Sequence, residues 1–190
     1  MRCFIAIALP EDIKAEIGRQ QAAIRAALAQ APSRDREINW TRPEGIHLTL
    51  KFLGETDRVD QVIEALQGIG PFEKFFVEVK GFGFFPDARR PRVLWTGIEA
   101  PPALAELAGQ VETALERLGF APEHRGFKPH LTLARFQSRR PETRLRQLPY
   151  IMRHQNQLSL GGFEVSEFFL FESKLSPRGA EYRKVARFGT

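Results

Sequence analysis

The chain has 190 residues, 43% of them hydrophobic, so it is long enough to bury a core without disulfides or a structural metal. Its one cysteine, Cys3, excludes an intramolecular disulfide and predicts a reducing, cytoplasmic setting, with the thiol in the core. The formal net charge of +5 suits an anionic partner such as RNA, and no apolar run approaches the length of a membrane span.

The first part of the sequence predicts a strand, a helix and a short extended segment. Residues 1–9 are mostly apolar and predict the first strand. Residues 10–31 predict a helix, because Pro10 and the two acidic residues after it favour a helix N-terminus. The apolar residues of this helix share one face: Ile13, Ile17, Ile24 and Leu28. Residues 32–37 predict a polar loop, and residues 38–41 an extended stretch.

The middle of the sequence predicts two further helices with a pair of strands between them. Thr56 is predicted to cap the second helix, whose apolar stripe comprises Val59, Val62, Ile63 and Leu66. Residues 75–85 and 92–98 predict neighbouring strands separated by a turn. The third helix is predicted to end at Gly119, and its apolar face comprises Leu104, Leu107, Val111, Leu115 and Leu118.

The last part predicts a short helix over residues 141–148, followed by strands over residues 158–163, 165–175 and 182–188. Strands and helices alternate without a regular βαβ rhythm, and several strand pairs resemble hairpins. This pattern predicts an α+β fold with antiparallel sheets and helices packed outside. Because no low-complexity linker divides the chain, residues 1–190 are expected to form a single domain of two lobes.

The tetrapeptide His47-Leu48-Thr49-Leu50 recurs letter for letter as His130-Leu131-Thr132-Leu133, once in each half of the chain. In a β-strand, the side chains of residues i and i+2 point to the same face. Each copy therefore offers an imidazole and a hydroxyl to one surface and anchors its leucines in a core. The same alternation places Phe52 in the core, on the side of the leucines.

Two such strands facing one cleft would supply a set of groups that suits a phosphodiester. One neutral histidine can deprotonate the nucleophile, and one charged histidine can protonate the leaving oxygen. The threonine hydroxyls can donate hydrogen bonds to the non-bridging oxygens. Model histidine pKa values of about 6.5 allow both roles near neutral pH.

Three alternatives to this interpretation are open. A histidine on a strand is more often structural than catalytic, although packing alone gives no reason to repeat His and Thr together. A metal-dependent hydrolase is less well supported, because the sequence has neither a His-Glu-x-x-His motif nor paired cysteines. A module that binds RNA ends without turnover would keep the basic surface but has no need for the paired histidines.

The chain resembles the two-histidine phosphoesterase superfamily, and within it the RNA 2',3'-cyclic phosphodiesterases of the LigT/ThpR type, once described as 2'-5' RNA ligases. The segments that carry the resemblance are Arg2-Cys3-Phe4-Ile5-Ala6-Ile7, Trp40, His47-Leu48-Thr49-Leu50-Lys51-Phe52-Leu53-Gly54, Phe85-Pro86, Pro91-Arg92-Val93-Leu94-Trp95, Pro129-His130-Leu131-Thr132-Leu133-Ala134-Arg135 and Phe171-Glu172-Ser173. They extend over nearly the whole chain, and the motif positions show no departure from the family pattern.

The resemblance implies a bilobal, pseudo-symmetric fold in which two antiparallel sheets line a central cleft. It implies opening of a 2',3'-cyclic phosphate to a 2'-phosphate without metal or cofactor, and a reverse reaction that joins RNA ends through a 2'-5' bond. By this analogy His47 is the proton donor and His130 the proton acceptor, and Thr49, Thr132 and Arg135 bind the substrate phosphate. The expected partner is RNA with a cyclic phosphate end, tRNA fragments included, and the expected state is a cytoplasmic monomer.

Two further groups of residues have both a functional and a structural interpretation. The aromatic rings of Trp40, Phe52 and Phe85 are candidates to stack on a base at the cleft mouth, and core packing is the alternative for each. The arginines between Arg139 and Arg146 are candidates to follow an RNA backbone, and a solvated helix face is the alternative.

Overall fold

The structure, a computed structural model, describes residues 1–29, 38–89, 91–124, 126–136, 152, 157–176 and 179–190. Three sequence predictions fall outside these residues: the polar loop over 32–37, the short helix over 141–148 and the basic cluster between Arg139 and Arg146.

Nine strands, three α-helices and one 3-10 turn are present within the described residues. The strands are β1 (Arg2–Ala8), β2 (Ile38–Trp40), β3 (His47–Glu55), β4 (Phe75–Phe85), β5 (Val93–Glu99), β6 (His130–Phe136), β7 (Ser159–Val165), β8 (Glu167–Ser176) and β9 (Gly179–Gly189). The helices are α1 (Glu11–Ala29), α2 (Val59–Gln67) and α3 (Pro102–Glu116), and the 3-10 turn is Pro43–Gly45. The order of strands and helices agrees with the sequence prediction.

The strands form two antiparallel sheets that share one repeated unit, a strand, a helix and a motif strand. The first sheet has the order β3-β1-β8-β9, and the second has the order β2-β6-β5-β4-β7. Without the added edge strand β2, each sheet begins with a motif strand, β3 or β6. Each motif strand pairs with a strand from which a helix separates it along the chain. β3 pairs with β1, with α1 between them, and β6 pairs with β5, with α3 between them. The α+β fold with two related antiparallel sheets is confirmed.

The helices cover one side of the sheets and complete a shared core. The apolar face predicted for α1 is confirmed, because Ile13, Ile17, Ile24 and Leu28 are all buried. Cys3 lies in the same core, as predicted. A second, smaller cluster on the other side of the first sheet consists of Phe4, Ala6, Phe169 and Phe171. In the part of the chain that the structure describes, no helix is both long and apolar enough to cross a membrane.

The prediction that Thr56 caps α2 was wrong. The N-cap residue is Arg58, and the Thr56 hydroxyl instead accepts a hydrogen bond from the Arg58 backbone N–H at 3.1 Å. The hydroxyl thus closes a turn just before the helix, a local bond that threonine commonly makes in competition with capping.

Both motif strands contain a β-bulge one residue after the threonine. Along β3, Thr49 pairs with Ala6 and Lys51 with Ile5, so that Leu50 is the extra residue. Along β6, Leu133 is the extra residue in the same way. A bulge reverses the alternation that follows it. Lys51 and Ala134 therefore point into the protein, and Phe52 and Arg135 share a face with the motif histidines.

The bulge explains why the core position predicted for Phe52 was wrong. Its side chain is 68% exposed, although a regular strand would have placed it beside Leu48 and Leu50. Phe52 and Arg135 occupy equivalent positions, five residues after the histidine of their own copy.

Candidate active site

The two copies of the motif meet in one cleft. His47 and His130 are the first residues of β3 and β6, and these two strands contact each other. A cleft of about 580 Å³ is lined by all five residues that the sequence singled out: His47, Thr49, His130, Thr132 and Arg135. A larger, open groove of about 850 Å³ between α2 and α3 is lined by neither histidine. The repeated residues thus converge on a single opening.

The two imidazoles are held in the same way. Nδ1 of His47 donates a hydrogen bond to the Gly45 carbonyl at 2.9 Å, and Nδ1 of His130 donates to the Lys128 carbonyl at 2.7 Å. A carbonyl oxygen can only accept, so the proton is on Nδ1 in each neutral ring. The other nitrogen, Nε2, then accepts a proton when the ring is neutral and donates one when the ring is charged.

The surroundings of His47 distinguish it from His130. Its ring stacks on Phe4 at 4.4 Å between centroids and meets the edge of Tyr182 at 5.0 Å. Burial against these rings lowers the pKa of His47 from 6.5 to about 4, and the hydrogen bond to Gly45 opposes the shift. His47 is therefore almost entirely neutral at pH 7 in the free protein.

Among the described residues, His130 meets aromatic rings in edge-on arrangements only. The Phe85 ring lies 4.9 Å away and the Trp95 ring 6.3 Å away, both in edge-on arrangements. Trp95 lies over Gly83, where a Cβ atom would collide with the indole ring. The glycine thus leaves room for the aromatic wall beside His130.

The cleft carries positive charge that the described residues do not neutralise. Its lining includes Arg2 and Arg135 and, among the described residues, no aspartate or glutamate. Within the described chain, neither arginine side chain has an ion pair or a hydrogen bond. Unpaired guanidinium groups beside two imidazoles favour an anionic ligand, because arginine donors match paired phosphate oxygens. No group of three or more His, Cys, Asp and Glu side chains in the described residues is placed to hold a metal ion.

Comparison with known protein families identifies this arrangement. The model of the LigT-like phosphoesterases matches residues 7–95 and 98–182, which together span most of the chain. This chain belongs to the LigT-like phosphoesterase family. It is therefore an enzyme of the phosphoesterase class, as the paired motifs predicted.

Several relatives match this LigT-like phosphoesterase over nearly its whole length. A protein of Methanothermobacter thermautotrophicus named RNA 2',3'-cyclic phosphodiesterase is 32% identical, with 99% of this chain and 98% of the relative covered. The solved structure of TT0787 of Thermus thermophilus is 27% identical, with a TM-score of 0.77 and coverage of 99% and 97%. E. coli LigT in complex with 3'-AMP is 25% identical, with a TM-score of 0.74 and coverage of 98% and 96%.

A partly buried ion pair in this phosphoesterase fixes β3 to α3 behind the cleft. Lys51 Nζ contacts Glu112 Oε1 at 2.6 Å and donates to the Ala121 carbonyl at 2.9 Å. The Lys51 side chain is only 4% exposed, and Glu112 Oε1 also accepts from the Glu123 backbone N–H at 2.9 Å. The pair joins the strand that carries Thr49 and Phe52 to the helix that precedes β6.

Phe4 and Tyr182 were not predicted as site residues. Phe4 belongs to an apolar strand that reads as core, and Tyr182 lies in the last strand, far from His47 along the chain. Of the predicted aromatic candidates, Phe52 lines the cleft and Phe85 contacts His130. Trp40 packs against the core, and the Cζ atom of Arg25 lies 4.8 Å from its ring centroid. Core packing, the alternative to base stacking, therefore describes Trp40.

Proposed function

We propose that this phosphoesterase opens the 2',3'-cyclic phosphate at the end of an RNA to leave a 2'-phosphate. The observation that carries the proposal is the convergence of two His-x-Thr motifs on one cleft that lacks an acidic residue in its described lining. The name of the Methanothermobacter relative, RNA 2',3'-cyclic phosphodiesterase, supports the same reaction, and the E. coli LigT complex with 3'-AMP supports a nucleotide ligand.

The proposed reaction is an acid/base displacement at phosphorus. One imidazole Nε2 removes a proton from water, and the water oxygen forms a bond to phosphorus while the bond from phosphorus to the 3' oxygen breaks. The second imidazole gives its proton to the departing 3' oxygen. When the 5'-hydroxyl of another RNA takes the place of water, the same steps join the two ends through a 2'-5' bond.

The remaining cleft residues are proposed to bind the phosphate. Thr49 and Thr132 lie two residues after the histidines, and their hydroxyls can donate to the non-bridging oxygens. Arg135 is turned into the cleft by the β6 bulge, and its guanidinium can stabilise charge on the phosphoryl oxygens. These donors supply the stabilisation of charge that the proposed metal-independent reaction requires.

We propose that His47 is the proton donor and His130 the proton acceptor, which requires His47 to gain a proton when substrate binds. With a pKa of about 4, roughly one His47 ring in a thousand is charged at pH 7 in the free protein. A phosphate anion about 4 Å away contributes about 4 kcal/mol at an effective dielectric constant of about 20, or about 3 pKa units. Substrate binding would thus bring the pKa of His47 close to neutral.

A substrate with sulfur in place of the bridging 3' oxygen tests these roles. A thiolate is a much better leaving group than an alkoxide and needs no proton. His47→Ala should therefore lose far less activity with the sulfur substrate than with the oxygen substrate, whereas His130→Ala should be impaired equally with both. The opposite pattern would exchange the two roles.

Phe52 is proposed to bind the terminal base. Its ring is 68% exposed on the cleft side of β3, and base–aromatic stacking contributes roughly 1–3 kcal/mol. Because the ring lines the cleft and its surface is free of protein contacts over most of its area, a base can stack on it, and we assign it this role.

We further propose that residues 1–190 act as one two-lobed domain and as a cytoplasmic monomer, with tRNA fragments among the substrates. The contact between β3 and β6 and the Lys51–Glu112 pair support a single rigid unit. Light scattering coupled to gel filtration measures the oligomeric state.

Product analysis tests the proposed reaction most directly. The full chain is incubated with an RNA that ends in a 2',3'-cyclic phosphate, with and without EDTA. We expect a 2'-phosphate end under both conditions. A 3'-phosphate would show that the other oxygen leaves, and activity lost in EDTA and restored by a metal would favour a metal-dependent hydrolase. Tight binding without product would favour an RNA-end binding module.

A further inference from the structure

The cleft extends well beyond the two motifs, toward the other end of β1. Alternate residues of β1 face the cleft, and their partners on β3 give the direction: Ala8 pairs with His47, Ala6 with Thr49, Phe4 with Phe52 and Arg2 with Glu55. The cleft lining follows this line from His47 as far as Arg2. Along β1, Arg2 is four residues from Ala6, the partner of Thr49, which is about 13 Å at about 3.3 Å per residue. This separation places the Arg2 backbone away from the proposed site of the reacting phosphate.

The surroundings of Arg2 leave its guanidinium available for a ligand. The side chain is exposed, and within the described chain it has neither an ion pair nor a hydrogen bond. Glu55, the residue opposite Arg2, contacts the amino group of Met1 at 3.5 Å instead. The pairing of Cys3 with Glu172 places Ser173 beside Arg2, and Ser173 also lines the cleft. Arg2 and Ser173 together offer a cation and a hydroxyl donor.

The cleft offers separate groups for the cyclic phosphate, the base and the 5' side of an RNA end. The imidazoles and threonines would hold the cyclic phosphate, and Phe52 would stack on the terminal base. Arg2 and Ser173 line the cleft beyond Phe52, on the side away from the motifs, where the chain that leaves the ribose at its 5' carbon could continue. An unpaired guanidinium at that place suits a second phosphate, because charge-assisted bonds from arginine to phosphate are strong and directional.

We propose that Arg2 and Ser173 form a subsite for a phosphate on the 5' side of the reacting nucleoside. This inference rests on the proposed function, because it assumes that a nucleoside cyclic phosphate occupies the motif end of the cleft. It makes the substrate class an RNA chain or a 5'-phosphorylated nucleotide, in preference to a nucleoside cyclic phosphate with a free 5'-hydroxyl.

Binding of unreactive product analogues tests the subsite without relying on turnover. Dissociation constants are measured by calorimetry at one fixed salt concentration for three ligands that end in a 2'-phosphate. These are a nucleoside with a free 5'-hydroxyl, a dinucleotide with a natural linkage, and the same dinucleotide with an uncharged methylphosphonate linkage. The unsubstituted chain should bind the charged dinucleotide about tenfold more tightly than the uncharged one.

Arg2→Gln should abolish this preference and leave the dissociation constant of the 2'-phosphorylated nucleoside with a free 5'-hydroxyl unchanged. Arg117→Gln, which removes an exposed charge at the end of α3 outside the cleft, should keep the preference. A preference that persists in Arg2→Gln would overturn the proposal, as would equal weakening of all three ligands. A fourth ligand, a nucleoside with both a 2'-phosphate and a 5'-phosphate, identifies the group that the subsite binds. Binding as tight as that of the dinucleotide assigns the subsite to any 5'-phosphate, and weaker binding assigns it to the linkage of an RNA chain.

These binding measurements, taken together with the product analysis on an RNA that ends in a cyclic phosphate, separate this inference from the proposed function. Charge-dependent binding that needs Arg2, together with no opening of cyclic phosphates, would retain the subsite and refute the proposed reaction. Turnover without any preference for the charged linkage would retain the proposed reaction and refute the subsite.

Discussion

The pKa of His47, lowered to about 4 by burial, makes the free energy of unfolding depend on pH in a way that substitution of this residue should remove. In the unfolded chain the pKa of the same ring returns to about 6.5. Between these two values the unfolded chain binds a proton that the folded chain does not. The folded state therefore loses stability as the pH falls through this window and regains it as the pH rises.

The size of the effect follows from the shift. One pKa unit corresponds to about 1.4 kcal/mol, so the full shift is worth about 3 kcal/mol, of which about 2 kcal/mol is lost between pH 7 and pH 5. His47→Gln keeps a polar side chain of similar size but has no proton to gain. The difference in unfolding free energy between pH 7 and pH 5 should therefore be about 2 kcal/mol smaller in His47→Gln than in the unsubstituted chain.

Urea unfolding at the two pH values, followed by circular dichroism, measures this difference. His124→Gln is the matched control, because His124 lies exposed in the loop before β6 and should leave the pH dependence unchanged. An identical pH dependence in His47→Gln and the unsubstituted chain would refute the argument that the rings of Phe4 and Tyr182 keep His47 neutral.

Three further predictions concern residues on the two motif strands. Phe52→Leu should raise KM about tenfold with little change in kcat, whereas Phe52→Tyr, which keeps the ring, should retain KM in steady-state assays. Arg135→Gln should lower kcat/KM by about 10-fold to 100-fold without changing the melting temperature, because its exposed side chain has no bond within the described chain to lose. Lys51→Met should lower the free energy of unfolding by about 3 kcal/mol, because it leaves Glu112 partly buried without its cation, and Lys51→Met combined with Glu112→Leu should recover most of this loss in urea unfolding. A single variant at Lys51 as stable as the unsubstituted chain would show that the pair does not anchor β3.

The alternation in the repeated tetrapeptide predicted one face of the site, because a period of two residues fixes which side chains share a surface. Leu48, Leu50, Leu131 and Leu133 are buried, as predicted, and the intervening histidines and threonines line the cleft. The duplication also predicted that the two copies lie on related elements, and the corresponding units β1-α1-β3 and β5-α3-β6 agree with this.

The residues after the tetrapeptide could not be predicted by the same argument. The bulges at Leu50 and Leu133 arise in pairing with β1 and β5, and neither glycine nor proline marks them in the sequence. In a regular strand that begins at His47, the alternation would place Lys51 on the exposed side. Lys51 is buried instead, where it forms an ion pair with Glu112 of α3. The low pKa of His47 likewise depends on Tyr182, which a strand at the other end of the chain supplies. Such tertiary contacts carry no local signal.

The measurement that tests the central claim most directly is the rate of cyclic phosphate opening in His47→Ala, His130→Ala and the double variant, with folding checked by circular dichroism. If both imidazoles act on one phosphate, each single substitution should lower kcat by at least about a thousandfold, and the double variant should lose little more, because groups that act as a unit are not additive. Near-normal turnover in either single variant, or losses that multiply in the double variant, would contradict the account.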